Sequence, residues 1–137
     1  MAHSNPDQKK IKHILDNSKR IAVVGLSDNP SRTSYQISSQ MQQAGYEIIP
    51  VNPTVDEVLG VKAVKRLQDI DGPVDIVNVF RRSEFLPEVA RDVLEIDAGT
   101  FWAQLGVSHE EVPTVLAQKD INIVMDSCIK VEYQMTR

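Results

Sequence analysis

IAVVGLSDNPSRTSYQ, residues 21–36, joins an apolar run to a small polar loop and then to a helix start. The run 21–24 reads as a buried strand that Gly25 ends. A glycine there lets the backbone turn tightly and lets a ligand approach closely. Ser27, Thr33 and Ser34 add hydroxyls, and Arg32 adds a positive charge. Thr33-x-x-Gln36 has capping-box spacing at the head of a helix over 34–44, whose free N–H groups suit an anion. The stretch therefore predicts a phosphate site built from Gly25, Leu26, Ser27, Arg32, Thr33 and Ser34. It lacks the three spaced glycines of dinucleotide-binding folds and the Gly-Lys-Ser/Thr of the P-loop. On the plainer reading, Gly25 and Asn29-Pro30 only make a turn and Thr33 only caps a helix.

The flanking chain repeats the strand–helix theme. Asn5-Pro6-Asp7 reads as a helix start with an Asn cap, and Ile11, Ile14 and Leu15 then share one helical face. Ile37, Met41 and Ala44 recur at helical spacing before Gly45. A second strand covers 46–51, where Pro50 disfavours a central position. Val61 to Val64 forms a short strand, and Leu67 to Ile70 a helical turn. Further strands are expected at 74–80, 99–104 and 121–125. Between them, Ser83 heads a helix with Phe85, Val89, Val93 and Leu94 inward, and Ser108-x-x-Glu111 reads as another capping box. The tail 126–137 is short and mixed.

The strands are continuous apolar runs alternating with helices. That pattern predicts one domain over 1–137: an α/β, doubly wound, Rossmann-like, mostly parallel sheet of five or six strands with helices on both faces. Such sheets bind ligands at the carboxyl ends of their strands, where the strand order reverses. Strand 21–25 is expected at the centre, which puts the Gly25 loop at that crevice.

With 15 basic and 19 acidic residues the net charge is −4, so nothing in the charge balance favours nucleic acid. No apolar run approaches the roughly 18 residues of a membrane span, and the polar start MAHSNPDQKK lacks the apolar centre of a signal peptide. One cysteine, Cys128, builds no internal disulfide, so the expected setting is the cytoplasm. NAD-binding folds place an acid at the second strand end to hold the ribose. Here that end is Asn52-Pro53-Thr54, with no acid until Asp56, which speaks against NAD and for another nucleotide-like group.

The stretches IAVVGLSDNPSRTSYQ, GYEIIPVNP, VDIVNVFRRSE, FWAQLGV and VMDSCIKVEY, taken in order, span nearly the whole chain. In them the chain resembles the small stand-alone coenzyme A-binding proteins, related to the nucleotide-binding domain of the succinyl-CoA synthetase alpha subunit. The resemblance implies a doubly wound fold and coenzyme A as ligand. It puts the pyrophosphate on the first loop and the adenine end near the second and fourth strand ends. Two positions depart from the family pattern. Thr54 stands where Lys is common, which removes a partner for the CoA 3′-phosphate, so dephospho-CoA is expected to bind about as well as CoA. Ser127 stands where Arg is common before the cysteine.

Of the remaining candidates, Arg81 leaves strand 74–80 at the ligand edge with forked donors suited to phosphate, and Arg82 is the weaker of the pair. Gln104 ends the next strand, and Trp102 reads as core before ligand contact. Cys128 reads first as a small buried residue and second as a partner for the CoA thiol. No histidine has a Ser or Cys partner in sequence context, and Asp126 with Cys128 is too little for a metal site. No catalytic constellation is visible. The synthetase relatives carry phosphohistidine chemistry in a further domain and a partner subunit. The expectation is therefore a module that binds CoA or an acyl-CoA through Gly25, Leu26, Ser27, Arg32, Thr33, Ser34, Asn52, Pro53, Arg81 and Gln104, without its own chemistry. The alternatives are an enzyme acting on an acyl-CoA or using NAD(P), and a scaffold with a relic pocket.

Overall fold

The computed structural model describes residues 3–137; Met1 and Ala2 of the polar N-terminal stretch lie outside the described residues. Five parallel strands form one sheet: β1 (Arg20–Val24), β2 (Glu47–Val51), β5 (Val74–Val79), β6 (Ala98–Ala103) and β7 (Asn122–Val124), in the spatial order β2-β1-β5-β6-β7. A separate antiparallel hairpin pairs β3 (Glu57–Val58) with β4 (Val61–Lys62). The helices are α1 (Gln8–Asp16), α2 (Thr33–Gln43), α3 (Leu86–Val93), α4 (Val112–Leu116) and α5 (Ile129–Met135). Among the described residues no helix is long and apolar enough to cross a membrane.

Alternation along each strand explains the two helical layers. Ile21, Val23, Ile48, Ile76 and Trp102 face a layer that includes Ile11, Ile14 and Leu15 of α1, Ile37 and Met41 of α2, and Ile129 of α5. Ala22, Val24, Val77, Val79 and Phe101 face the other layer, with Val89 and Val93 of α3 and Leu116 of α4. Both faces are covered, so the strands read as unbroken apolar runs. β5, not β1, holds the centre of the sheet. The order reverses between β1 and β5, so the crevice opens where their carboxyl ends part. Pro50 sits in the edge strand β2, and its carbonyl faces outward to accept from the Val64 N–H at 2.9 Å.

Several local signals resolved differently. Asp7, not Asn5, caps α1, accepting from the Lys10 N–H at 2.9 Å. The Asn5 amide instead clips the N-terminal segment to Met125, donating to its carbonyl (2.7 Å) and accepting from its N–H (2.9 Å). Residues 83–85 form a 3-10 turn before α3. Ser83 Oγ accepts from the Ser108 N–H at 3.1 Å, and α4 starts only at Val112 with Glu111 in the cap position, so Ser108 does not cap it. Leu86 and Ala90 are buried on α3, while Phe85 and Leu94 are half-buried.

Tyr46 ties α1 to the start of β2. Its hydroxyl is buried and donates to the Leu15 carbonyl at 2.7 Å, and its ring packs edge-on against Tyr133. Burial, with the neighbouring Tyr133, pushes its pKa up from 10.0 to about 12. The folded protein thus favours the protonated phenol. That contribution is complete below pH 10 and is lost as pH rises from 10 to about 12. Tyr46→Phe is expected to cost about 0.5–1.5 kcal/mol at neutral pH. Urea titrations at stepped pH should show the gap between variant and wild type closing above pH 10; a constant gap would contradict the buried hydrogen bond.

Candidate functional site

The loops after β1 and β5 press against each other at the switch point. The Phe80 N–H donates to the Val24 carbonyl at 2.9 Å, and the Gly25 N–H to the Val51 carbonyl at 2.9 Å. Gly25 has φ +85, and a Cβ there would lie 2.5 Å from the Phe80 carbonyl oxygen. Only glycine meets both demands.

The predicted capping box does not form. Thr33 is the first helical residue of α2, Arg32 holds the cap position with extended backbone, and no side chain caps. The serines hold the loop itself. Ser34 Oγ accepts from the Ser27 N–H (3.1 Å), Ser27 Oγ accepts from the Asn29 N–H (3.0 Å), and Asn29 Oδ1 takes both donors of Ser31. Gln36 Nε2 donates back to the carbonyls of Pro30 and Ser31. The loop is thus fixed by internal bonds, while the first-turn N–H groups of α2 have no intrahelical acceptors. Leu26 is fully buried, so its side chain serves the core and only its backbone borders the loop. Its carbonyl accepts from Asn52 Nδ2 at 3.1 Å, which joins the first loop to the exit of β2.

Three cavities meet at Phe80. One of about 390 Å³ lies over Gly25, Ser27, Arg32, Thr33 and Ser34. A second, of about 440 Å³, runs from Gly25 and Arg81 between Asn52-Pro53 on one side and α3 on the other. A third, of about 630 Å³, extends the other way past Thr33, Arg81 and Gln104 to Leu105, Cys128 and Lys130. Arg81 borders the second and third, with its guanidinium stacked 4.4 Å over the Phe85 ring. Nine of the ten predicted residues therefore line one branching groove at the edge of the sheet, while Leu26 lies beneath it in the core.

Gln104 lines the third cavity, but its amide is engaged. It donates to Asn78 Oδ1 and accepts from the Ile129 N–H at 3.4 Å, joining β5, β6 and the start of α5. Trp102 is core, with no exposed surface and its ring N–H on the Ser127 carbonyl at 2.8 Å. Cys128 is half-buried rather than buried, and it faces the third cavity because it precedes the first turn of α5. Thr54 folds back on Asn52, whose Oδ1 accepts from both its N–H (2.9 Å) and its hydroxyl (2.8 Å).

Sequence reasoning passed over Lys65 and Arg66, which line the second cavity; Lys130 lines the third beside Cys128. Lys65 and Arg66 follow an isolated bridge between Val51 and Val64. Their only local signal is a basic pair after a short apolar run.

The chain matches the model of the family described as "CoA binding domain" over residues 19–134. It is 62% identical over 133 residues to protein YneT of Bacillus subtilis (strain 168), covering 97% of this chain and 98% of that one. The structure of cell-free ID.343 from Thermus thermophilus superposes with a TM-score of 0.91 at 33% identity, covering 96% of this chain and 100% of that one. The alpha subunit of the ADP-forming acetate–CoA ligase II of Pyrococcus furiosus is 33% identical over 73 residues, which are 53% of this chain and 16% of that subunit.

Proposed function

Since the chain belongs to the CoA binding domain family, we propose that it binds coenzyme A or an acyl-CoA at the β1–β5 switch point and does no chemistry of its own. The observation that carries this reading is the branching groove. Its middle is the Gly25 loop with the N-terminus of α2, where a pyrophosphate finds backbone donors and the charge of Arg32. Its two arms leave that point in opposite directions, as the two ends of a CoA molecule must. The adenosine lies toward Asn52-Pro53, against Val51, Leu67 and Val89. The pantetheine arm lies along Ile37, Val107 and Cys128. The β2 exit offers no carboxylate to a ribose; the second cavity's acids, Glu88 and Asp92, stand on α3.

Calorimetric titration tests the reading. One CoA per chain is expected, with acetyl-CoA similar, because the acyl group lies beyond the contacts named here. NADH, which has the pyrophosphate but meets no ribose acid, should bind much more weakly. No heat with CoA at millimolar concentration would overturn the proposal, and tighter binding of NADH than of CoA would favour a dinucleotide-using enzyme.

A further inference from the structure

From the wall of the second cavity we infer that Lys65 and Arg66 read the 3′-phosphate of the bound nucleotide and give the site its preference for CoA over dephospho-CoA. This rests on the CoA reading above.

The two side chains are brought there by long-range structure. The Val64 N–H donates to the Pro50 carbonyl, and the Val64 carbonyl accepts from the Asn52 N–H, both at 2.9 Å. That clamp lays residue 64 alongside the end of β2. Leu67, 3% exposed, anchors the chain again in the core. Lys65 and Arg66 are held between the two anchors, exposed, on the cavity that Asn52 and Pro53 also border. Among the described residues Lys65 has no ion-pair partner. Arg66 meets only Asp69, at 3.4 Å, and both side chains are largely exposed, so that pair competes weakly with a phosphate.

The other groups of the cavity leave the 3′-phosphate one direction to go. Glu88 and Asp92 on α3 repel it. Arg81 lies at the junction of the arms, where the pyrophosphate passes. Thr54 spends its donors on Asn52 and carries no charge. A 3′-phosphate near pH 7 bears more than one negative charge, and Lys65 with Arg66 is the cationic face that remains. On this inference the equal binding of CoA and dephospho-CoA expected from Thr54 alone gives way to a preference for CoA, supplied by Lys65 and Arg66 beside the end of β2.

The test is titration of the full chain with CoA and with dephospho-CoA at low ionic strength. Wild type is expected to bind CoA about tenfold or more tighter, the size of one charge-assisted contact. The double variant Lys65→Ala/Arg66→Ala should bind both ligands within about threefold of each other, with dephospho-CoA affinity kept near wild type. Retained dephospho-CoA binding also shows that the variant is folded. Equal affinities in wild type, a preference that survives the double substitution, or an equal loss for both ligands would each overturn the inference while leaving CoA binding intact. Failure of wild type to bind either ligand would overturn the CoA reading, and this inference with it.

Discussion

Gly25→Ala is expected to lower stability by about 2–5 kcal/mol and to abolish measurable CoA binding. Two costs add. An alanine at φ +85 sits where L-residues are strained. Its Cβ also arrives 2.5 Å from the Phe80 carbonyl oxygen, well inside van der Waals contact. That oxygen is backbone, and Phe80 is held by its own N–H bond to Val24, so it has little freedom to retreat. Separating the β1 and β5 exits would move Phe80, the wall common to all three cavities. With a total stability of about 5–15 kcal/mol for an ordinary domain, such a loss is easily read by urea denaturation. CoA titration of the variant below its unfolding transition separates the two effects. A variant with wild-type midpoint and wild-type affinity would mean that the two loops are not locked together.

The parts of the molecule that were legible in sequence are those set by short-range pattern. Residues 21–24, 76–79 and 100–103 are buried, and strands covered on both faces read as apolar runs, here apart from Asn78 and Thr100. Gly25 announced itself because no other residue ends a strand that way. Arg81 was legible because it follows a strong strand by two residues. The capping signals failed because the helices begin at other residues: Arg32 takes the cap position of α2 and Glu111 that of α4, neither with a side-chain cap bond, and Ser83 is turned to the Ser108 N–H across 25 positions. The α5 helix escaped notice because Ile129 is its one fully buried residue, so it carries almost no periodic signal. The β3–β4 hairpin was half missed because its turn puts Leu59 at φ +56 before Gly60 at +77, a place where Leu is uncommon. Lys65 and Arg66 belong to the site only through the Val51–Val64 bridge, and nothing in residues 61–66 announces that pairing.

Arg81→Ala is expected to weaken CoA binding by about 1.5–3 kcal/mol, roughly tenfold to 150-fold, with little change in stability. Arg81 stands at the branch point: it borders both arms of the groove, and its Cδ lies 3.5 Å from where a Gly25 Cβ would be. The guanidinium is stacked 4.4 Å over Phe85, which fixes its plane before a ligand arrives and reduces the ordering cost of binding. Its forked donors match two oxygens of one phosphate, so Arg81→Lys should recover only part of the affinity. The stack itself, partly exposed, contributes about 0.5–1 kcal/mol, which bounds the stability change. Arg82 supplies the internal control. Its side chain is 84% exposed at the rim of the third cavity, and among the described residues its one ion pair is with Glu84, at 3.7 Å. Arg82→Ala should therefore shift CoA affinity by less than about threefold, through long-range charge that added salt screens. If Arg81→Ala binds CoA as wild type does, the pyrophosphate does not pass Arg81. The charge holding it would then have to come from Arg32 at the head of α2, and Arg32→Ala would show the larger loss.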